Sequence, residues 1–184
     1  MVYVALLRGI NVGGNNTFSM KKLKATFEYL GLKNVVSYIN SGNVIFTDSG
    51  KPREIAQKIE RGIKKEYGLD VKVLVRDSGS MQKILKSVPR TWKNDVEQKT
   101  DVLFLWEEFD KKSTLSMIEN DPAVDTLKYI PGAIVWHIER CNYTKSRMKK
   151  FIGTTVYKNM TARNVNTLRK LAELMHKHPP GVAK

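Results

Sequence analysis

Arginine and asparagine side chains gather at three places in this 184-residue chain. The first is Arg8-Gly9-Ile10-Asn11-Val12-Gly13-Gly14-Asn15-Asn16. Glycines there let backbone N–H groups approach an anion, and Arg8, Asn11 and Asn15 can bond to it directly. The second is Ser41-Gly42-Asn43, which has the composition of a hairpin turn. The third is the segment 161–167, with Arg163, Asn164 and Asn166. Arginine makes charge-assisted bonds to phosphate, and an amide can orient a ligand or meet a base edge. Arginine stays protonated and amides do not titrate, so these groups suit binding and charge stabilisation rather than proton transfer. A separate basic cluster, Lys145, Arg147, Lys149 and Lys150, would neutralise phosphates without reading sequence.

Familiar phosphate and catalytic motifs are missing. A P-loop needs Lys-Ser/Thr after its second glycine, but Gly14 is followed by Asn15-Asn16, and G-x-G-x-x-G is absent. The single cysteine, Cys141, excludes a disulfide framework and a multi-cysteine metal site. Cys141 and His137 have the types of a nucleophile and a base, but no orienting third group or known local signature accompanies them. The histidines at 176 and 178 lie beside a proline-rich tail and make no metal site, and Asp121 and Asp125 are spaced like surface acids. No metal site, cofactor or catalytic residue is therefore assigned.

The elements that must position these groups follow from apolar spacing. Residues 2–7 read as a buried strand, ending at the glycine- and asparagine-rich loop. Ser19 caps a helix whose stripe is Met20, Leu23, Phe27 and Leu30, stopped by Gly31. Segments 35–39 and 44–47 are strands joined by the Ser41 turn. Pro52 opens a helix with Ile55, Ile59 and Ile63 on one face, closed by Gly68. A strand at 71–75 and a short helix from Asp77 or Ser78 to Pro89 follow. The second half reads as a strand at 102–106, a helix at 111–119, and strands at 127–130 and 133–138 around Pro131-Gly132. A basic helix at 145–152, a short strand at 154–157 and a long helix at 161–176 complete it. Thr161 caps that last helix, which turns Val165, Leu168, Ala172 and Met175 inward. Arg163, Asn166, Thr167 and Lys170 are expected on the opposite face.

This order predicts an α+β fold of two ferredoxin-like (βαββαβ, alpha-beta plait) subdomains with a long C-terminal helix. The expected division is residues 1–90, with the connecting helix, and residues 91–184.

The net charge of +14 is unevenly placed. Residues 1–90 carry 16 basic and 7 acidic side chains, net +9. Residues 91–139 carry 5 and 10, net −5, and residues 140–184 carry 11 and 1, net +10. The three motifs lie in the positive segments, which favours an anionic partner. The longest early apolar run, residues 2–7, is too short for a signal-peptide core or a membrane span. The expectation is a soluble cytoplasmic protein with no membrane partner, in keeping with its lone thiol. Nothing in the sequence sets the oligomeric state.

Residues 2–7 are similar to the first strand of an RNA-recognition motif. That module stacks bases on exposed sheet aromatics, whereas the third strand here offers only Phe46. A standard RNA-recognition motif is excluded.

A more specific resemblance comes from three strings: Leu6-Leu7-Arg8-Gly9-Ile10-Asn11-Val12-Gly13-Gly14, Ser41-Gly42-Asn43-Val44 and Thr161-Ala162-Arg163-Asn164. Together they resemble a widespread bacterial family of unknown function with an LLRGINVGG … SGNV … TARNWNT pattern, over residues 2–174. The resemblance implies two ferredoxin-like α+β subdomains and no established activity. Two positions depart from the pattern. Val165 replaces an aromatic, and Ser146-Arg147-Met148 replaces Ser-Lys-Leu.

The leading expectation is binding of a phosphate-bearing or polyanionic ligand, a nucleic acid or a nucleotide, in a cleft between subdomains. Arg8, Asn11, Gly13, Gly14, Asn15, Ser41, Asn43, Arg163, Asn164 and Asn166 would hold it. The alternatives are an enzyme acting on a small phosphorylated or acyl substrate with the same arginines as clamps, and a scaffold or oligomerisation module.

Overall fold

The computed structural model describes residues 1–11 and 19–178. Eight strands form two four-stranded antiparallel sheets, and contacts divide the chain into Met1–Met81 with Leu171–Lys184, and Gln82–Lys170.

In the first unit β1 (Val2–Leu7), α1 (Met20–Tyr29), β2 (Lys33–Tyr38), β3 (Asn43–Thr47), α2 (Pro52–Tyr67) and β4 (Val73–Asp77) follow in turn. The sheet order is β2-β3-β1-β4, with β1 pairing antiparallel to both β3 and β4. This is the ferredoxin-like arrangement. Strand side chains alternate, so Tyr3, Ala5 and Leu7 share one face with Val44 and Phe46. Leu23 and Phe27 of α1, and Ile55, Ile59 and Ile63 of α2, pack on that face. Phe27 meets Phe46 edge-on at 5.8 Å. Ser19 caps α1, accepting from the Lys22 N–H, and Pro52 opens α2. Gly68 closes α2 at φ 71°, a conformation that penalises a side chain.

α3 (Ser78–Ser87) starts where Asp77 accepts from the Ser80 backbone and hydroxyl. The second unit then holds β5 (Gln98–Leu105), β6 (Thr126–Ile130), β7 (Ala133–Glu139) and β8 (Met160–Asn164) in the order β6-β7-β5-β8. That order reproduces the first sheet's. One face carries Leu103, Leu105, Ile134, Trp136, Ile138 and Met160, covered in part by Met148 and Phe151.

The crossovers depart from the sequence reading. The helix expected at 111–119 is instead two 3-10 turns, Glu107–Phe109 and Lys112–Met117. Leu115 and Ile118 alone make too short an apolar stripe, and the Thr114 hydroxyl takes the Phe109 carbonyl at 2.7 Å. The basic helix expected at 145–152 shrinks to α4 (Met148–Phe151). The segment expected as a strand at 154–157 falls within a helical turn, α5 (Thr155–Lys158), capped by Thr154. The last helix, α6 (Val165–Lys177), starts four residues later than expected, because 160–164 pair with β5 from Leu105↔Met160 to Asp101↔Asn164. Its stripe of Val165, Leu168, Ala172 and Met175 is buried as expected. No described helix is long and apolar enough to cross a membrane.

Candidate functional site

At the end of β1 the chain leaves the sheet at Arg8, whose N–H donates to the Lys72 carbonyl at 2.9 Å. Gly9 follows at φ 66° and Asn11 at φ 53°. The Asn11 amide donates to the Asn40 carbonyl at 2.8 Å. On the facing turn Ile39 and Gly42 also have positive φ, 48° and 72°. The Leu7 N–H donates to the Gly42 carbonyl at 2.8 Å. A Cβ on Gly42 would sit 2.8 Å from Ile10 and 2.9 Å from Leu7, so the two segments can pack this closely because residue 42 is glycine. The first two sequence motifs are thus one structural unit.

Within that unit the polar groups have different surroundings. Arg8, Asn11 and Ser41 are half-buried, whereas Asn43 is fully buried. The Asn43 amide donates to the Tyr38 carbonyl at 3.2 Å and the Ser41 hydroxyl at 3.0 Å, bracing the turn from inside. Gly13, Gly14 and Asn15 lie outside the described residues.

The third motif belongs to the second unit and differs from its expected form. Arg163 stands on β8 opposite Val102, not on an exposed helix face, and is 8% exposed. Its Nη1 donates to the Ala162 carbonyl at 2.7 Å and the Thr161 hydroxyl at 3.1 Å. Burial lowers its pKa to about 10, so the guanidinium remains charged at neutral pH. Asn164, not Thr161, caps α6, its Oδ1 accepting from the Thr167 N–H at 2.8 Å. The Asn166 amide donates to the Asn94 carbonyl, and Arg169 binds the carbonyls of Pro89, Arg90 and Trp92. One turn of α6 thereby holds the connector before β5.

Of the basic cluster, Lys145, Arg147 and Lys150 are exposed around the buried Met148. Arg147 pairs with Glu119 at 3.3 Å, while the Lys149 side chain lies outside the described set.

Two buried polar groups escaped the sequence reading. Asp125 is no surface acid: it is 3% exposed, and its Oδ1 accepts from Trp136 Nε1 at 2.8 Å and Ser146 Oγ at 2.7 Å. His137 lies 2.9 Å from the Thr100 hydroxyl, with Trp92 stacked on it at 4.5 Å. Neither has a local signal, because each is defined by partners far along the chain. Among the described residues no group of three or more His, Cys, Asp or Glu could hold a metal ion.

A family model described as a protein of unknown function, DUF1697, matches residues 1–136 and so includes the Arg8 and Ser41 segments. The chain belongs to this family. Outside the DUF1697 match, which ends within β7, the likeness continues at the level of structure. A conserved bacterial protein from Streptococcus pneumoniae shares 28% identity and a TM-score of 0.82. The alignment covers 95% of this chain and 98% of that one, so both sheets of this DUF1697 protein are represented there. No curated protein matches the chain.

Proposed function

We propose that this protein binds a phosphate-bearing or polyanionic ligand, a nucleic acid or a nucleotide, where β1 meets the turn before β3. The observation that carries this reading is the backbone of Ile39. It is a β-branched residue at φ 48°, and its side chain is 50% exposed, so its own burial does not offset the strain. The same turn meets Asn11, itself at positive φ, and Arg8 lies three residues before it. Backbone strain that folding does not use tends to collect at ligand sites. Arg8 would supply the charge-assisted bonds, and Asn11 and Ser41 would orient the ligand. The +9 balance of residues 1–90 supports an anionic partner. The setting we propose is the cytoplasm, in keeping with the single, exposed thiol of Cys141.

The test is titration with labelled single-stranded DNA, RNA and ATP across a salt series. A polyanion site gives affinity that falls linearly with the logarithm of salt, and Arg8→Ala lowers both affinity and slope. Absence of binding at low salt to all three probes, or binding that Arg8→Ala leaves unchanged, overturns the reading.

For the third motif a scaffold reading is favoured by a different observation. The buried Arg163 guanidinium bonds its own strand, as a residue that braces a sheet does.

A further inference from the structure

We propose that the outer groove between α1 and α2 is a docking surface for an acidic amphipathic helix of a partner protein. The groove has a volume of about 670 Å³ and lies wholly in the first unit. Ala25, Tyr29 and Leu30 of the α1 side and Gly62 of α2 give its apolar lining. Gly62 leaves space there, since a Cβ on it would come within 2.7 Å of the Leu30 side chain. Tyr29 is 85% exposed at the mouth, an aromatic side chain with little of its own unit to pack on.

The rim on α2 is cationic. Lys58, Arg61 and Lys65 line the groove at i, i+3 and i+7, which places them on one face along about 10 Å of helix. Among the described residues none of these three side chains has an ion-pair or hydrogen-bond partner, whereas Lys64 on the next face pairs with Asp70. The groove's own carboxylate, Glu66, accepts from the Thr26 hydroxyl at 2.6 Å. A row of three cations without side-chain partners beside an apolar lining complements a helix that carries an apolar stripe flanked by Asp or Glu. A small monoanion would engage only one of the three.

The experiment uses the full isotope-labelled chain and a short synthetic helix with leucines at i, i+3, i+4 and i+7 flanked by glutamates. Controls are the same peptide with lysine for glutamate, and single-stranded DNA. The expected result is amide shift changes at Ala25, Tyr29, Leu30 and Gly62 with the acidic peptide, weakening as salt rises. The K58E/R61E/K65E variant then binds that peptide about tenfold more weakly and gains binding to the lysine peptide. Tyr29→Ser, which changes an exposed side chain, weakens binding without altering the melting temperature and serves if the triple variant is unstable. Arg8→Ala leaves the peptide titration unchanged, which separates this site from the one at β1. The proposal is overturned if the acidic peptide shifts none of these amides at low salt. It is also overturned if both peptides bind alike, or if DNA moves the same amides at lower concentration.

Discussion

Asn11 and Asn40 are 29 residues apart in sequence, and the amide of the first donates to the carbonyl of the second at 2.8 Å. The bond closes the gap between the end of β1 and the turn before β3. Asn11 sits at φ 53°, which asparagine tolerates better than most residues. Asn11→Ala loses both the bond and the tolerance, and is expected to destabilise the protein by about 2 kcal/mol. Asn11→Gly keeps the backbone and loses the side-chain contacts, the Asn40 bond and a weak one to Met20 Sδ at 3.9 Å, so its cost should be about 1 kcal/mol. Urea midpoints of the two variants separate the contributions. Equal costs would show that the left-handed backbone matters little.

Gly42→Ala is expected to cost more. The new methyl lands under 3 Å from Ile10 and Leu7, at φ 72°. Strain and overpacking together predict a loss of about 2–4 kcal/mol. Ile10→Val with Gly42→Ala should recover part of that loss, and a double-mutant cycle measures how much.

Arg163 is buried, charged and bonded to Ala162 and Thr161. Arg163→Ala leaves a cavity and an unmet carbonyl, and should lower stability by about 2–4 kcal/mol. Arg163→Lys keeps the charge but not the planar fork, so the loss should be smaller. Thermal unfolding checks both, and an Arg163→Ala variant as stable as the parent would refute the bracing role.

Asn164 caps α6 through Thr167, and Asn164→Ala should cost about 1 kcal/mol. The effect should appear as faster amide exchange at Thr167. Thr161→Ala should leave that amide unchanged, because Thr161 lies within β8 and not at the helix start.

His137 makes stability depend on pH. Burial pushes its imidazole below the ordinary histidine value, and Glu139, 3.6 Å from Nε2, only partly reverses this. The unfolded chain therefore takes up the proton first. The stabilisation is complete above about pH 6.5 and declines as pH falls towards the lower folded value. His137→Gln should flatten the stability curve across that window. Trp92, stacked on the ring 5° from parallel, gives a fluorescence readout of the same titration.

Much of the first unit is readable from sequence. Periodic apolar stripes, the Ser19 cap, Pro52 and Gly68 are local signals, and each specifies its element without distant help. The order of elements then gives the fold class of both halves. Short, weakly patterned segments were different. Residues 160–164 become a strand only because β5 offers an edge to pair with, and that pairing moves Arg163 from an expected helix face into a sheet. The segment 107–117 lacks a long enough apolar stripe to form a helix by itself.

By itself, the sequence determined the composition of the polar clusters, the two-sheet α+β architecture and the separation of positive from negative segments. Tertiary structure decided what each polar side chain faces. Asn43 and Arg163 point inward, Asp125 is buried, and the Arg8 and Ser41 segments form one unit through Asn40 and Gly42. The physical reason is range. Helix periodicity and turn chemistry act over a few residues, but the solvation of a charge or an amide depends on partners that only the folded chain brings near.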